Sequence, residues 1–468
     1  MHAESLLRDI ADYCRKNGVA ESTFGRLAVN DGKFVSRLRD GGRITTTTFE
    51  RVRSFIAADS APKLAAAGET LTGDRSAVGP SAAAVRASVP APSAPNDRNF
   101  RFFDNRQKYL LFVNTCSEKG VVAQRVAMEL GNIRPRPPAV RLFDAGVGDG
   151  TVLTRAMRAM HHRFPTMPFY IVGKEISLED VRLALEKMPD RYYEHPATVL
   201  VMTNLYYREA PWLVPSSVTA ATSLVWHELA LTGSTAHEFE EQITALAPFL
   251  ADNWRAHVSP VSGNPVYERP AVLVIYREDH RFLLDSIIPR RGGAQADYDL
   301  VIASQPYRAR APLEFKASKV IAPLARSLGQ GGRLLGIQSH GNDPGQEIVE
   351  GIWPGENPFR HDRHQTLKEV KTGLGSAARH FNFNAYSDAR SLFRYHMHAL
   401  PSEIAATIGT STLFAAWNAA VYVGQIEDAR LETVIADRRY LDVTAEVLHR
   451  HGGLWFWDES FVISRHRD

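Results

Sequence analysis

Hydrophobic and polar residues follow two patterns that alternate through most of this chain. Short runs of consecutive apolar residues, typical of strands buried on both faces, are separated by stretches with the 3.6-residue periodicity of amphipathic helices. The predicted strands and helices include, in chain order, Phe169–Gly173, Leu178–Met188, Thr198–Met202, Tyr298–Ala303 and Phe315–Leu328. Strands that alternate with helices in this way predict an α/β protein with a largely parallel sheet.

The segment 1–57 carries helical periodicity without strand-like runs and predicts a small all-α unit. Its predicted helices are Glu4–Lys16, Ser22–Val29, Lys33–Arg39 and a fourth that begins near Thr47. Glu50 follows Thr47 at the spacing of a capping box. A tight turn at 30–32 joins the second helix to the third, and this order of helix, turn and helix is typical of helix-turn-helix units.

Basic residues concentrate on the third predicted helix, where Lys33, Arg37 and Arg39 lie. The segment resembles the phage-repressor-like helix-turn-helix domains. The resemblance implies that these basic side chains contact the phosphates of duplex DNA and that Ser36 or Arg37 reaches base edges. A four-helix docking module, whose charges simply face the solvent, is the alternative.

Residues 58–98 predict a flexible linker. They hold five prolines among alanine, serine and glycine, and they show no sustained periodicity. A segment of this composition cannot bury enough apolar surface to fold alone. The remaining residues, 99–468, are predicted to form the main domain.

Composition narrows the class of protein. A chain of 468 residues is too long for one compact domain, and its 44% hydrophobic content is sufficient for large cores. The formal net charge is only +3, so any nucleic-acid-binding surface must be local. Cys14 and Cys116 cannot form a disulfide framework or a cysteine-rich zinc site, which suits a reducing compartment. No apolar run approaches the roughly 18 residues of a membrane span, and a cytoplasmic protein is predicted.

Residues 142–153, LFDAGVGDGTVL, place an acid and three alternate glycines between a predicted strand and a predicted helix. Glycine lets the backbone approach a ligand where a Cβ would collide, and the first turn of the next helix has unpaired N–H groups. The dinucleotide fingerprint would need a third glycine at Thr151, and a P-loop would need a Gly-Lys-Ser/Thr sequence that is absent. A ligand that contains adenosine fits such a turn.

The remaining pattern resembles motif I of the class I S-adenosylmethionine-dependent methyltransferases, with its residues at Asp144, Gly146, Gly148 and Gly150. The resemblance implies that S-adenosylmethionine binds at this turn. It also implies that Glu175, after the second strand, holds the ribose, since a carboxylate can accept two hydroxyl hydrogen bonds. Asn204 follows the third strand, where the family usually has a polar residue near the adenine. An asparagine that caps a turn is an equally good interpretation.

The resemblance implies a Rossmann-like sheet, mostly parallel, with an antiparallel last strand. The fourth strand is then Tyr298–Ala303, and the fifth follows a Gly331-Gly332 turn. In this assignment residues 205–296 are an insertion with a helix and a hairpin, predicted at Ala236–Leu250, Val272–Tyr276 and Arg281–Asp285. A second assignment places strand four at Thr222–Trp226 and makes the hairpin region strand five.

The last part of the main domain, about 340–468, is predicted to complete the sheet and to cap it. Leu392–His398 and Trp455–Ile463 are the predicted sixth and seventh strands, and the apolar stretch Ala415–Tyr422 between them is predicted to be a core helix.

The tetrapeptide Ser304-Gln305-Pro306-Tyr307 follows the predicted fourth strand, at the edge of the sheet where the chemistry is expected. It resembles the (Asp/Asn/Ser)-Pro-Pro-(Tyr/Phe/Trp) motif of amino-methylating enzymes. That resemblance implies that Ser304 and the next carbonyl accept hydrogen bonds from a target nitrogen, while the ring of Tyr307 stacks on a planar acceptor. Gln305 replaces the first proline, and an ordinary strand exit is the alternative.

His227 is a further candidate catalytic residue, as a base for the acceptor's proton, and His340 is a second candidate for that role. A buried, hydrogen-bonded histidine is the more common case. His227, Glu228 and His237 lack the spacing of a zinc motif and a third ligand, so no metal is expected.

Two classes of function follow from these patterns. The favoured one is an S-adenosylmethionine-dependent methyltransferase with an unidentified acceptor, nitrogen being one candidate, and an N-terminal unit that binds DNA or docks to a partner. The alternative is a transcriptional regulator that senses the cofactor without methyl transfer. A homodimer is left open, and no membrane partner is expected.

Overall fold

The computed structural model describes residues 2–17, 19–29, 31–40, 48–49, 52–53, 55–56, 106–259, 264–405 and 407–467. The chain divides into two compact units, Met1–Pro90 and Ala91–Asp468. The predicted linker 58–98 and the capping box of Thr47 and Glu50 lie outside the described residues. Within the described ranges, no helix has the length and apolar character needed to cross a membrane.

The N-terminal unit contains the three helices His2–Asn17, Glu21–Val29 and Phe34–Arg39, each close to its predicted bounds. Their apolar stripes meet in a small core that contains Leu6, Ile10, Phe24, Phe34 and Leu38. The turn before the third helix packs closely on the second helix. A Cβ at Gly25 would lie 2.4 Å from the carbonyl oxygen of Asp31, so this contact requires glycine.

The second unit contains twelve strands within the described residues. They are β1 Val140–Asp144, β2 Phe169–Lys174, β3 Thr198–Thr203, β4 Val225–Leu231, β5 Ala256–Val258, β6 Pro265–Tyr267, β7 Ala271–Arg277, β8 Tyr298–Ser304, β9 Leu328–Ser339, β10 Phe381–Asn384, β11 Leu392–His396 and β12 Trp455–Arg465. Ten of them form one sheet in the order β10-β12-β9-β8-β1-β2-β3-β7-β4, with β11 also paired to β12. The pair β5 and β6 is separate.

The centre of this sheet is parallel, from β3 through β2, β1 and β8 to β9, and β12 runs antiparallel to β9. This mixed, mostly parallel order fits a Rossmann-like sheet with an antiparallel last strand. The assignment of Tyr298–Ala303 as the fourth strand is confirmed, because β8 pairs directly with β1. The assignment of strand four to Thr222–Trp226 is wrong, since β4 lies at the far edge of the sheet.

The insertion extends the sheet beyond β3. Strand β7 pairs antiparallel with β3, and β4 pairs parallel with β7. The predicted hairpin is therefore wrong: both edges of β7 are occupied, and the segment Arg281–Leu284 is a helix. The predicted helix Ala236–Leu250 is divided into Ala236–Thr244 and Ala247–Asn253, with Pro248 in the first turn of the second helix. Proline is favourable there but lacks the N–H that a continuous helix needs.

Two further differences concern β9 and the sixth strand. Gly331-Gly332 forms a bulge within β9 instead of a turn before it, since Tyr298 pairs with Leu328 but Leu300 pairs with Arg333. A Cβ at Gly332 would lie 2.3 Å from the carbonyl oxygen of Tyr298. The sixth strand is divided, because β10 and β11 follow each other along the same edge of β12. The alternation of Phe381–Asn384 was too short to predict β10.

The helices of the second unit are Arg106–Thr115, Glu118–Leu130, Thr151–Arg163, Leu178–Glu186, Pro189–Glu194, Val218–Thr222, Ala236–Thr244, Ala247–Asn253, Arg281–Leu284, Leu313–Phe315, Ala322–Arg326, Pro344–Ile352, Arg363–Leu374, Asp388–Ser391, Thr410–Val423, Asp428–Ile435 and Arg439–His451. Lys316–Ile321 is π-helical and joins two of them, and short 3₁₀ turns lie at Ala210–Trp212, Glu278–His280, Gly375–His380 and Pro401–Ile404.

Helices cover the sheet on two faces. The first face packs against Glu118–Leu130, Thr151–Arg163 and Leu178–Glu186. The second face packs against the helical segment 313–326 and Arg363–Leu374. Alternation along each strand assigns its side chains to these two faces. A third core, which includes Trp417, Val421 and Leu448, lies among the C-terminal helices.

Candidate functional site

The three glycines of the turn after β1 have different surroundings. Gly148 and Gly150 have φ values of +54° and +80°, in the region that favours glycine. A Cβ at Gly148 would lie 2.9 Å from the hydroxyl of Tyr109, and one at Gly150 would lie 2.7 Å from the Cα of Ala184. A Cβ at Gly146 would meet no described atom within 4 Å. Only Gly146 therefore borders open space.

Asp144 ends β1 and lies beneath this turn. Its carboxyl group is buried and accepts a hydrogen bond from the backbone N–H of Gly146 at 3.2 Å. Burial raises the pKa of Asp144 to about 6, and the Gly146 hydrogen bond opposes that shift.

Glu175 follows β2 and faces the turn from the neighbouring strand. Its Oε2 accepts a hydrogen bond from the N–H of Gly148 at 2.9 Å. Its Oε1 accepts hydrogen bonds from the N–H groups of Ile176 at 2.7 Å and Ser177 at 2.9 Å. The structure thus brings Asp144, the glycine turn and Glu175 together at the carboxyl edge of two adjacent parallel strands.

The helix Arg106–Thr115 covers the turn through Tyr109. The Tyr109 hydroxyl accepts a hydrogen bond from the N–H of Asp149 at 3.2 Å. Nζ of Lys119 lies 5.6 Å from the centroid of the Tyr109 ring. Lys187 pairs with the Asp149 carboxylate at 2.6 Å and fixes the other side of the turn. Sequence reasoning missed these residues, because a tyrosine and two lysines on or beside three different helices look like ordinary packing and surface residues.

Asn204 is buried and fully bonded to the backbone. Its Nδ2 donates to the carbonyl of Arg269 at 2.8 Å and to that of Asn253 at 3.3 Å. Its Oδ1 accepts from the N–H of Ala271 at 2.8 Å. This arrangement favours the interpretation of Asn204 as a residue that caps a turn, and its contact with adenine stays a prediction.

Polar residues continue along the carboxyl edge of the sheet beyond the turn. Asp144, Ser304 and Ser339 are the last residues of β1, β8 and β9, and Asp458 lies on β12, the next strand of the sheet. Ser304 pairs with Ile337 and Ser339 pairs with Asp458 in the strand register. Side chains along a strand point alternately to the two faces of the sheet. Leu142 on β1 and Val462 on β12 are buried on the first face, and counting in steps of two from such residues places all four edge residues on that face. We call these four residues the edge row.

Gln305 joins the predicted acceptor motif to the edge row. It has a φ of +47°, which is uncommon outside glycine and clusters at functional sites. Its Nε2 donates to Oγ of Ser339 at 3.0 Å and to Oδ1 of Asp458 at 3.2 Å. Gln305, which stands where the amino-methylating motif has its first proline, therefore fixes the end of β8 through its side-chain amide.

Tyr307 belongs to the second face. Its hydroxyl donates to Oε1 of Gln338 at 2.6 Å, and its side chain is 9% exposed. Nζ of Lys316 lies 5.1 Å from the centroid of its ring, and burial lowers the pKa of Lys316 to about 8. In this conformation the ring of Tyr307 is packed within the protein, and its stacking on an acceptor stays a prediction.

Tyr307 is connected to a buried ion pair. Glu459 is 1% exposed and accepts hydrogen bonds from Nε2 of Gln338 at 2.7 Å and Nη1 of Arg363 at 3.0 Å. Nδ1 of His340 lies 3.6 Å from Glu459, and a hydrogen bond to that carboxylate raises the pKa of His340. We call Tyr307, Gln338, Arg363 and Glu459 the second-face network.

The structure places His227, the predicted base, away from the glycine turn, and its catalytic role stays a prediction. His227 lies on β4, which β2, β3 and β7 separate from β1. Its ring stacks on Phe249 with the centroids 4.6 Å apart. The insertion extends the sheet instead of folding over the turn, so His227 is at the opposite edge. Within the described ranges, no group of three or more His, Cys, Asp or Glu side chains is arranged to hold a metal ion.

The four predicted DNA-contacting residues of the N-terminal unit, Lys33, Ser36, Arg37 and Arg39, are exposed. Arg37 pairs with Asp31, and Arg39 pairs with Glu21 at 2.7 Å. Exposed ion pairs of this kind contribute about 0–1 kcal/mol to stability. Breaking them therefore costs little, and they do not prevent contact with phosphate.

Comparisons with known proteins find matches among solved structures but none by family model or by curated sequence. Among solved structures, a protein assigned as a sarcosine dimethylglycine methyltransferase from Galdieria sulphuraria is 12% identical, with a TM-score of 0.28; the match covers 75% of this chain and 86% of that chain. A geranyl diphosphate methyltransferase, solved with GPP and sinefungin, is 12% identical with a TM-score of 0.27, over 74% of this chain and 78% of that chain. At these TM-scores the similarity does not extend to detailed geometry.

Proposed function

We propose that this chain is an S-adenosylmethionine-dependent methyltransferase. The observation that carries the proposal is the open space at Gly146. A side chain at Gly148 or Gly150 would collide with the protein itself, whereas one at Gly146 would meet no described atom. Gly146 therefore leaves room for a ligand at the carboxyl edge of a sheet whose strand order fits this class of enzyme.

The residues around that space suit the parts of S-adenosylmethionine. Glu175 can accept the hydroxyl groups of the ribose, with the backbone N–H of Gly148 as its present partner. Lys119, above Tyr109, supplies a cation for the carboxylate of the methionine part. When bound, S-adenosylmethionine supplies a methyl group on a sulfonium, which is a good leaving group. The protein then has to align the acceptor and control its proton.

Calorimetry with S-adenosylhomocysteine tests this proposal. We expect the wild-type chain to bind it and Gly146→Val to lose at least a hundredfold in affinity, because the valine side chain fills the open space. Gly373→Ala is the matched control, since a Cβ there also meets nothing within 4 Å but lies in the helix Arg363–Leu374. Equal affinity in the wild type and Gly146→Val would contradict the proposal.

For the N-terminal unit we propose weak binding to duplex DNA through Lys33, Ser36, Arg37 and Arg39. The support is that Phe34, Val35 and Leu38 are buried while these four residues face the solvent. Such binding should weaken steeply between about 50 and 200 mM salt, because phosphate contacts release counterions. Fluorescence anisotropy with labelled duplex DNA should show this for the full chain, and Arg37→Ala with Arg39→Ala should remove it. DNA binding without turnover of S-adenosylmethionine would favour the alternative of a cofactor-sensing regulator.

A further inference from the structure

Asp458 is a buried acid with an unused hydrogen-bond acceptor. Its side chain is 0% exposed, its Oδ1 accepts a hydrogen bond from Nε2 of Gln305 at 3.2 Å, and the Ser339 side chain is a second hydrogen-bonding neighbour of the carboxyl group. Its Oδ2 is buried and has no hydrogen-bond partner among the described residues. A buried carboxylate oxygen without a partner destabilises a fold, so its presence needs an explanation.

The position of Asp458 relates it to the predicted cofactor site. It ends the edge row, which begins at Asp144 under the glycine turn and continues through Ser304 and Ser339. Asp458 is therefore three strands from the turn, on the same face of the sheet and at the same edge. A methyl acceptor must lie beside the cofactor, and this edge is where the structure offers polar groups to it.

The charges near Asp458 favour a cation as its ligand. The Glu118 carboxylate has the strongest electrostatic influence on Asp458; its Oε2 lies 3.4 Å from Nζ of Lys119 and also has no hydrogen-bond partner among the described residues. Asp343 is also close, and its carboxylate is occupied by the N–H groups of Gln346 and Trp457. Burial and the Glu118 carboxylate raise the pKa of Asp458 well above its ordinary value, which makes it a stronger proton acceptor.

We propose that the methyl acceptor is an amine and that Oδ2 of Asp458 takes the proton from the attacking nitrogen. This inference rests on the proposed methyltransferase function. An amine arrives as its ammonium form and must lose one proton before its lone pair is available. Beside the bound ammonium ion the carboxyl group of Asp458 is ionised, because an adjacent positive charge favours the carboxylate. Asp458 then receives the proton, and the C–N bond forms while the C–S bond breaks. The electron pair of the C–S bond remains on sulfur as a neutral thioether, and the product leaves as a methylated ammonium ion.

Gln305 is the positioning residue for this step. Its hydrogen bond to Oδ1 helps to fix the carboxyl group, whose Oδ2 has no hydrogen-bond partner among the described residues. The same amide also contacts Ser339, so it joins the exit of β8 to the end of β9 as well as to β12. This explains why glutamine can replace the first proline of the motif that the tetrapeptide at Ser304 resembles.

The test uses the full chain, methyl-labelled S-adenosylmethionine and three matched pairs of probes. The amines are benzylamine, ethanolamine and glycine, and their hydroxyl counterparts are benzyl alcohol, ethylene glycol and glycolate. We expect at least one amine, and none of the hydroxyl compounds, to accept label. Asp458→Asn should lower that transfer at least a hundredfold while the affinity for S-adenosylhomocysteine changes less than threefold. Asp299→Asn is the matched control, a partly buried acid near the opposite end of β8 that should not change transfer.

A second readout does not depend on turnover. Calorimetric titration of the S-adenosylhomocysteine complex with benzylamine should show binding that Asp458→Asn weakens at least tenfold, and thermal unfolding should show that Asp458→Asn folds. Transfer to a hydroxyl compound, transfer to no amine, or equal behaviour of Asp458→Asn and wild type would overturn the inference. Failure of S-adenosylhomocysteine itself to bind would instead overturn the proposed function.

Discussion

Two acids that are neighbours in the chain, Asp458 and Glu459, lie on opposite faces of β12 and have opposite surroundings. Both are almost fully buried. Glu459 has Arg363 and Gln338 as hydrogen-bond donors, whereas Oδ2 of Asp458 has no partner among the described residues. A buried acid whose oxygens all have hydrogen-bond donors stabilises the fold. A buried acid with an oxygen that has no donor, beside a proposed binding site, indicates a ligand that supplies the missing donor.

The largest effect should come from removal of the paired acid. Glu459→Gln leaves the buried guanidinium of Arg363 without its buried counter-charge, and we expect the free energy of unfolding to fall by about 3–5 kcal/mol in urea denaturation. Glu446→Gln is the control, because its pair with Arg450 is exposed and should contribute less than about 1 kcal/mol. If Glu459→Gln and Glu446→Gln had the same free energy of unfolding, the buried pair would stabilise the fold no more than the exposed pair, and the contrast between the two faces would be wrong.

Asp458→Asn should have the opposite effect on stability, and the effect should depend on pH. Burial raises the pKa of Asp458 in the folded state, so the folded chain holds this proton more tightly than the unfolded chain. Its contribution to stability is present below the unfolded pKa of about 3.9 and is lost as the pH rises. The variant should therefore gain stability relative to wild type from pH 5 to pH 7, by at most about 2.7 kcal/mol. Urea denaturation at both pH values measures this gain, and a variant that loses stability at pH 7 would show that Asp458 is paired.

Glu175→Gln tests the predicted cofactor site, next to Asp144 at the start of the edge row. The amide keeps the size of the side chain but cannot accept the same set of hydrogen bonds. We expect the affinity for S-adenosylhomocysteine to fall by about 1–3 kcal/mol, the scale for lost hydrogen bonds to a charged group. Glu186→Gln, on the helix Leu178–Glu186, is a control that should leave the affinity unchanged. Unchanged affinity of Glu175→Gln for S-adenosylhomocysteine would contradict the predicted contact between Glu175 and the ribose.

Tyr307→Phe should have the smallest effect. It removes the hydroxyl that donates to Gln338, and we expect the free energy of unfolding to fall by about 1 kcal/mol with no change in cofactor affinity. If Tyr307 orients the acceptor through its ring, Tyr307→Ala should lower methyl transfer far more than Tyr307→Phe does. Equal transfer in the two variants would make the second-face network purely structural.

Much of the fold could be predicted because its signals are local. The strands β2 and β3 contain uninterrupted apolar runs, β1 and β8 are apolar in their centres, and the glycine turn is contiguous in sequence. The predicted hairpin at Arg281–Asp285 failed because strand pairing depends on which edge of β7 is free, and local sequence carries no such information. Asp458 could not be predicted for a similar reason: it meets Gln305 and Ser339 only after distant strands become neighbours.

The crystal structure of the full chain with S-adenosylhomocysteine tests the central claim most directly. The account predicts the ligand over Gly146, its ribose hydroxyl groups within hydrogen-bond distance of the Glu175 carboxylate, and its sulfur directed along the edge row toward Ser304. A ligand bound elsewhere, or a ribose that does not contact Glu175, would contradict the assignment of the turn at Asp144–Gly150 as the cofactor site.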